Sequence, residues 1–214
     1  PNFGLIRAAT DDPAIRPTFL GQTPFSAFSI DLRSPGAERL ELLPSLSLRA
    51  TGGEGVPLEL VDLRPFGAPV LYYAVRVAAL RVDGVDIIDG YGDVIAVMDT
   101  GTTGIVLTED LFGRYDRTRR AVAEEAAVAG RKSRGQNKYG NIEVTLGAPQ
   151  GASQRLAMRR GLVDGYGARF AAVKAIPDDA GSVFYRAEQL QPDVKRPAVI
   201  FVGLAFMLGR RFSV

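Results

Sequence analysis

The stretch that most constrains this chain is Val94-Ile95-Ala96-Val97-Met98, which runs into Asp99-Thr100-Gly101-Thr102-Thr103-Gly104 and leaves through Ile105-Val106-Leu107. An unbroken run of β-branched and apolar residues predicts a strand covered on both faces. A carboxylate at the end of such a strand is costly unless something nearby hydrogen-bonds or uses it. Here the neighbours supply the partners: Thr100 and Thr102 offer hydroxyls. Gly101 has no side chain, so the backbone can turn sharply and bring its N–H to the carboxylate. The rest of the chain is expected to be organised around this strand, loop and strand.

A second apolar run, Val199-Ile200-Phe201-Val202-Gly203-Leu204, follows about a hundred residues later. Asp-Thr-Gly-Thr framed by hydrophobic strands resembles the active-site loop of the pepsin-like aspartic proteases. Val199–Leu204 is similar to the apolar-apolar-Gly strand that completes the psi-shaped loop around the catalytic Asp of that family. The order and separation of the two motifs are similar to those of the family's C-terminal lobe. The likeness extends further along the chain. Gly21–Ile30 resembles a segment late in the N-terminal lobe, Glu38–Leu42 the strand after it, and Tyr72–Gly84 the strands entering the C-terminal lobe. Gly203–Val214 is similar to the closing segment, with Leu204 where the family usually has an Asp that is not catalytic.

This resemblance implies an all-β, pepsin-like acid protease fold with one nearly complete lobe, a psi loop and one or two short helices. Residues 1–70 would be the tail of the N-terminal lobe and the inter-lobe connection, and residues 71–214 the C-terminal lobe. Phe3-Gly4-Leu5-Ile6 is similar to the segment that closes the N-terminal lobe's own psi loop. The first catalytic loop is therefore expected upstream of Pro1, on the same precursor or a separate chain. The implied chemistry needs two Asp carboxylates facing each other and sharing one proton. Two such charges at about 3 Å cannot both ionise, so the pair titrates as a unit. One carboxylate takes a proton from a bound water as it attacks the peptide carbonyl, and the other protonates the developing oxyanion.

On that resemblance Asp99 is the C-lobe carboxylate. Gly101 and Thr102 hydrogen-bond it, and Thr100 locks the loop to its counterpart. Gly101, Thr102 and Thr103 border the backbone of a peptide or protein substrate. No cofactor or metal is implied. The competing reading is a catalytically silent pepsin-like module that serves as a structural or interaction subunit of a larger assembly. A second near-match, Asp179-Ala180-Gly181-Ser182, follows Pro177-Asp178 and reads as turn chemistry.

Composition narrows the alternatives. The 214 residues contain no His and no Cys, which excludes Ser-His-Asp and Cys-His machinery and zinc sites built on imidazole or thiolate. Acid–base chemistry then falls on Asp, Glu, Lys or Tyr. With 46% hydrophobic and 23% charged residues, the chain has the balance of a globular protein. A formal charge of +2 is no nucleic-acid signature. The longest apolar run, Ala198 to Leu208, is too short to span a bilayer and reads as a strand.

Strands are expected at Phe25–Leu32, Leu40–Leu48 and Asn141–Leu146, and further ones within Leu156–Arg160, Gly167–Lys174 and Ser182–Tyr185. Asp83-Gly84, Asp89-Gly90-Tyr91-Gly92 and Asp164-Gly165-Tyr166-Gly167 read as turns. One helix is expected from about Tyr115 to Ala129, capped by Asp116 and favoured by its alanines. Arg114, Arg117, Arg119 and Arg120, with Arg131, Lys132 and Arg134, make this the most basic stretch. It is read as a solvated helix and loop with no nucleic-acid partner.

Overall fold

A computed structural model describes residues 19–45, 55–66, 68, 72–130, 139–148, 151–158, 173–176 and 197–214. These residues are mostly β-sheet with few helices, as the sequence predicts. Their strands are β1 (Ala27–Asp31), β2 (Arg39–Leu43), β3 (Ala74–Val82), β4 (Val85–Asp86), β5 (Val94–Met98), β6 (Ile105–Thr108), β7 (Ile142–Gly147), β8 (Ser153–Ala157), β9 (Val173–Ile176), β10 (Ala198–Val202) and β11 (Arg211–Ser213). The α-helices are α1 (Glu109–Val128) and the single turn α2 (Leu204–Met207). The turns expected at Asp164–Gly167 and at Asp179–Ser182, the strand at Ser182–Tyr185, and the segment Phe3–Ile6 lie outside the described residues.

The main sheet runs β8-β7-β3-β5-β10-β6-β9, with β4 paired to β3. β10 lies parallel to β5, from Ala198 opposite Val94 to Val202 opposite Met98. It lies antiparallel to β6 through Phe201 opposite Val106 and Val202 opposite Ile105. A strand from the end of the chain is thus inserted between two strands joined by the Asp99 loop. β3 pairs with β5 through Ala74–Arg76 and with β7 through Val77–Val82, the β7 pairing containing a register shift between Val77 and Ala79. Such a shift bends a strand and increases its local twist.

Period-2 alternation along β5 sends its side chains into two cores. Val94 and Ala96 enter the larger one, with Leu80, Val144, Ile105, Ile200, Val202 and Phe206. Ile95 and Val97 enter a smaller one with Leu63, Ala68, Ala74, Val199 and Phe201. β5 is therefore covered on both faces, which is why its sequence carries no polar alternation. A second, three-stranded antiparallel sheet, β11-β1-β2, ties the C-terminal strand to residues 27–43. No helix among the described residues is long and apolar enough to cross a membrane.

Two expectations need correction. The helix is neither short nor begun at Tyr115: α1 spans 20 residues and starts directly after β6, with Thr108 as the N-cap residue. Glu109 and Asp110 occupy its first turn, where negative charge complements the helix dipole. Leu111 and Tyr115, four residues apart on one face, are buried in the larger core. Tertiary burial set the start, whereas the alanine-rich half that suggested the helix is mostly exposed. The basic stretch is also not uniformly solvated. Arg119 pairs with Asp83 at 2.5 Å, with only 17% and 13% of the two side chains exposed. Arg114 donates to the carbonyls of Ile87 and Asp89 and stacks 4.7 Å from the Tyr91 ring centroid. These two arginines fasten α1 to the β3–β4 hairpin and the turn after it; Arg117 and Arg120 remain exposed.

Candidate active site

Asp99 begins where β5 ends. Its backbone N–H donates to Val202 O at 3.0 Å, so the first loop residue is anchored to β10. The loop then turns tightly, with Thr102 N–H reaching back to Asp99 O at 3.2 Å. This turn aims two donors at the carboxylate. Gly101 N–H reaches Oδ1 at 2.8 Å, and Thr102 Oγ1 donates to Oδ2 at 2.7 Å. Each oxygen thus takes one bond from the chain and keeps further acceptor capacity for a water or an outside donor. A Cβ on residue 101 would stand 3.1 Å from Oδ1, so a larger residue crowds the acceptor it must serve.

The loop is held from below by residues 203–205. Gly203 N–H donates to Gly104 O, Leu204 N–H to Thr102 O and Ala205 N–H to Thr103 O, each at 2.8 Å. The first N–H groups of a helix have no intrahelical partner, and in α2 they are spent on the loop. Gly203 permits the approach: a Cβ there would lie 2.2 Å from Thr102 O and 2.6 Å from Gly104 O.

Of the residues expected at the site, Asp99, Gly101 and Thr102 are joined by direct hydrogen bonds. Thr103 shares the clamp through its carbonyl, and Thr100 is exposed on the turn. Gly203, Leu204 and Ala205 were not among the expected site residues. The signal for them was present in the glycine that breaks the apolar run at Val202, but its contact with a loop a hundred positions earlier is not a sequence observation.

A concave feature among the described residues lies elsewhere. A groove of about 290 Å³, lined by Arg76, Asp86, Ile88, Asp89 and Asp93, opens beside Val94. That is the opposite end of β5 from Asp99, five residues away or roughly 17 Å at strand rise. Arg76 and Asp93 pair across it at 3.5 Å, and Asp86 Oδ1 accepts the N–H groups of Leu80 and Ile88. No group of three or more Asp, Glu, His or Cys among the described residues is arranged to hold a metal ion.

Chemically, the loop is a carboxylate fixed in one orientation by local donors, without a second titratable group bonded to it among the described residues. It can orient a water or exchange a proton with a facing acid. No known family model matches this chain, and no curated protein matches it.

Proposed function

We propose that this chain carries the C-terminal half of an aspartic-type endopeptidase of pepsin-like fold. The observation that supports this best is the combination at Asp99: a carboxylate with one local donor on each oxygen, on a loop whose two flanking strands are separated by β10. In this reading residues 1–70 belong to the tail of the N-terminal lobe and 71–214 to the C-terminal lobe. A second Asp, carried outside this chain, faces Asp99 across a bound water.

The pair shares one proton. One carboxylate accepts a proton from the water as its oxygen adds to the scissile carbonyl, and the other protonates the carbonyl oxygen as it becomes negative. Proton transfer to the departing amine then completes hydrolysis. Gly101 and Thr102 keep the Asp99 oxygens oriented throughout. The exposed rim of Gly101 with Thr102 and Thr103 accommodates an extended peptide backbone.

One competing reading fits the same residues. A single Asp-Thr-Gly occurs in the 214 residues, so this chain alone supplies half of a dyad. A silent module, retained for binding or assembly, would keep the same loop as a structural joint.

Peptide cleavage separates the two. The full-length processed protein is assayed from acid to neutral pH with and without a statine-type inhibitor, beside Asp99→Asn. Inhibitor-sensitive cleavage that disappears in the variant supports the endopeptidase. No cleavage by a folded, fully processed protein sinks it in favour of the silent module.

A further inference from the structure

The segment that clamps the Asp99 loop is also the segment that leads into the second sheet. β10 passes through Gly203 into α2, and only Leu208, Gly209 and Arg210 separate α2 from β11. β11 has three residues, yet its attachment to β1 is dense. Phe28 and Val214 exchange both backbone bonds at 2.8 and 2.9 Å, Leu32 N–H donates to Arg210 O at 2.8 Å, and Gly209 N–H donates to Leu32 O at 2.8 Å. Side chains add to this. Ser29 is buried, 2% exposed, and its Oγ accepts Arg211 Nε at 2.7 Å and Ser213 Oγ at 3.1 Å. Arg211 also reaches Glu41 on β2 at 3.2 Å.

We infer that the β1–β11 pairing is a positioning device for the Asp99 loop, acting through α2. The clamp consists of three backbone N–H groups on a single helical turn, too short to be stable by itself. α2 is held in place by the burial of Ala205, Phe206 and Met207 on one side and by β11 drawn against β1 on the other. Releasing β11 frees the C-terminal end of α2 and loosens the bonds from residues 203–205 to the carbonyls of residues 102–104. A molecule that competed with β1 for β11, or that stabilised their pairing, would therefore change the order of the loop from the opposite side of α2. The device concerns loop order alone and does not depend on Asp99 being catalytic.

Hydrogen exchange of the 214-residue chain tests it, using a chain ending at Arg210, which lacks β11 by construction, and Ser29→Val, which loosens β11 without deleting it. Local opening is read separately from global unfolding by comparing segments. The expected result is exchange about tenfold faster or more at Gly203, Leu204 and Ala205, with the buried residues Leu80 and Val144 of the larger core within about twofold of the parent. In Ser29→Val the loop should loosen in step with Phe28 and Val214. The proposal is overturned if the shortened chain folds with loop exchange unchanged. It is also overturned if β11 loosens in Ser29→Val while residues 203–205 do not, or if all segments accelerate together.

Discussion

Asp83 and Arg119 form the contact whose removal is most informative about how α1 is held. Asp83 sits in the β3–β4 turn at φ +51°, followed by Gly84 at +91°, as a two-residue hairpin turn with both central residues left-handed requires. Its Oδ2 takes Arg119 Nη1 at 2.5 Å, and its Oδ1 accepts Asn141 N–H at 2.8 Å. Asp83→Asn is the sharpest perturbation, because Asn tolerates positive φ and its amide oxygen can still accept from Asn141. What changes is the charge opposite Arg119. Removing one partner of a fully buried pair costs roughly 3–5 kcal/mol. With 13% and 17% of these side chains still exposed, solvent screens part of that, and about 2–3 kcal/mol is expected.

For a chain of this length that corresponds to a fall in Tm of roughly 5–10 °C. The assay is thermal and urea unfolding of the 214-residue chain, with Asp116→Asn as the control. Asp116 pairs with Arg120 at 2.7 Å on the exposed face of the same helix, and its loss should cost no more than about 0.5 kcal/mol. The double variant Asp83→Asn/Arg119→Met should recover much of the single-variant loss, because it removes both charges. If Asp83→Asn costs no more than the surface control, burial is not what gives this pair its strength and the reasoning fails.

Thr102→Val removes the hydroxyl that donates to Asp99 Oδ2; losing a bond to a charged group is worth about 1.5–3 kcal/mol, so on the proposed endopeptidase function kcat/KM for peptide cleavage should drop about tenfold or more, while Thr102→Ser stays near the parent. Gly203→Ala places a methyl 2.2 Å from a backbone carbonyl that cannot swing aside, and should destabilise the chain by about 1–3 kcal/mol or more in urea unfolding. Asp31 is held at about 2, below its ordinary 3.8, chiefly by the hydrogen bonds of Arg33, and Arg64 lowers Asp62 in the same way. A depressed folded pKa gives stability that is present above the ordinary value and lost as pH falls through the folded one. The contribution of Asp31 should therefore hold down to about pH 4 and vanish by about pH 2, and Tm curves of the parent and Asp31→Asn should converge there; unchanged separation at pH 2 contradicts the assignment.

Much of the candidate site was legible because its chemistry is local. The bonds from Gly101 and Thr102 to Asp99 span two and three residues, so residue type and spacing suffice to foresee them. The strand before them was legible for a similar reason: only burial on both faces favours five consecutive apolar residues ending at a carboxylate. Helix α1 was misplaced at its start because alanine content reports propensity, while Leu111 and Tyr115 reported the packing that decided it. Arg114 and Arg119 were read as solvated because a basic run shows charge and not the carbonyls, ring and carboxylate brought opposite it.

By itself the sequence determined a β-rich chain, an Asp loop with its own donors, and the types of chemistry excluded by lacking His and Cys. Only the tertiary structure decided that β10 enters between β5 and β6, that residues 203–205 clamp the loop, and that the last strand closes on Ser29. The physical reason is range. A turn forms from bonds its own residues can make, whereas the pairing of Phe201 with Val97, or of Ser213 with Ser29, is selected by which apolar faces can be buried together once the whole chain is in place.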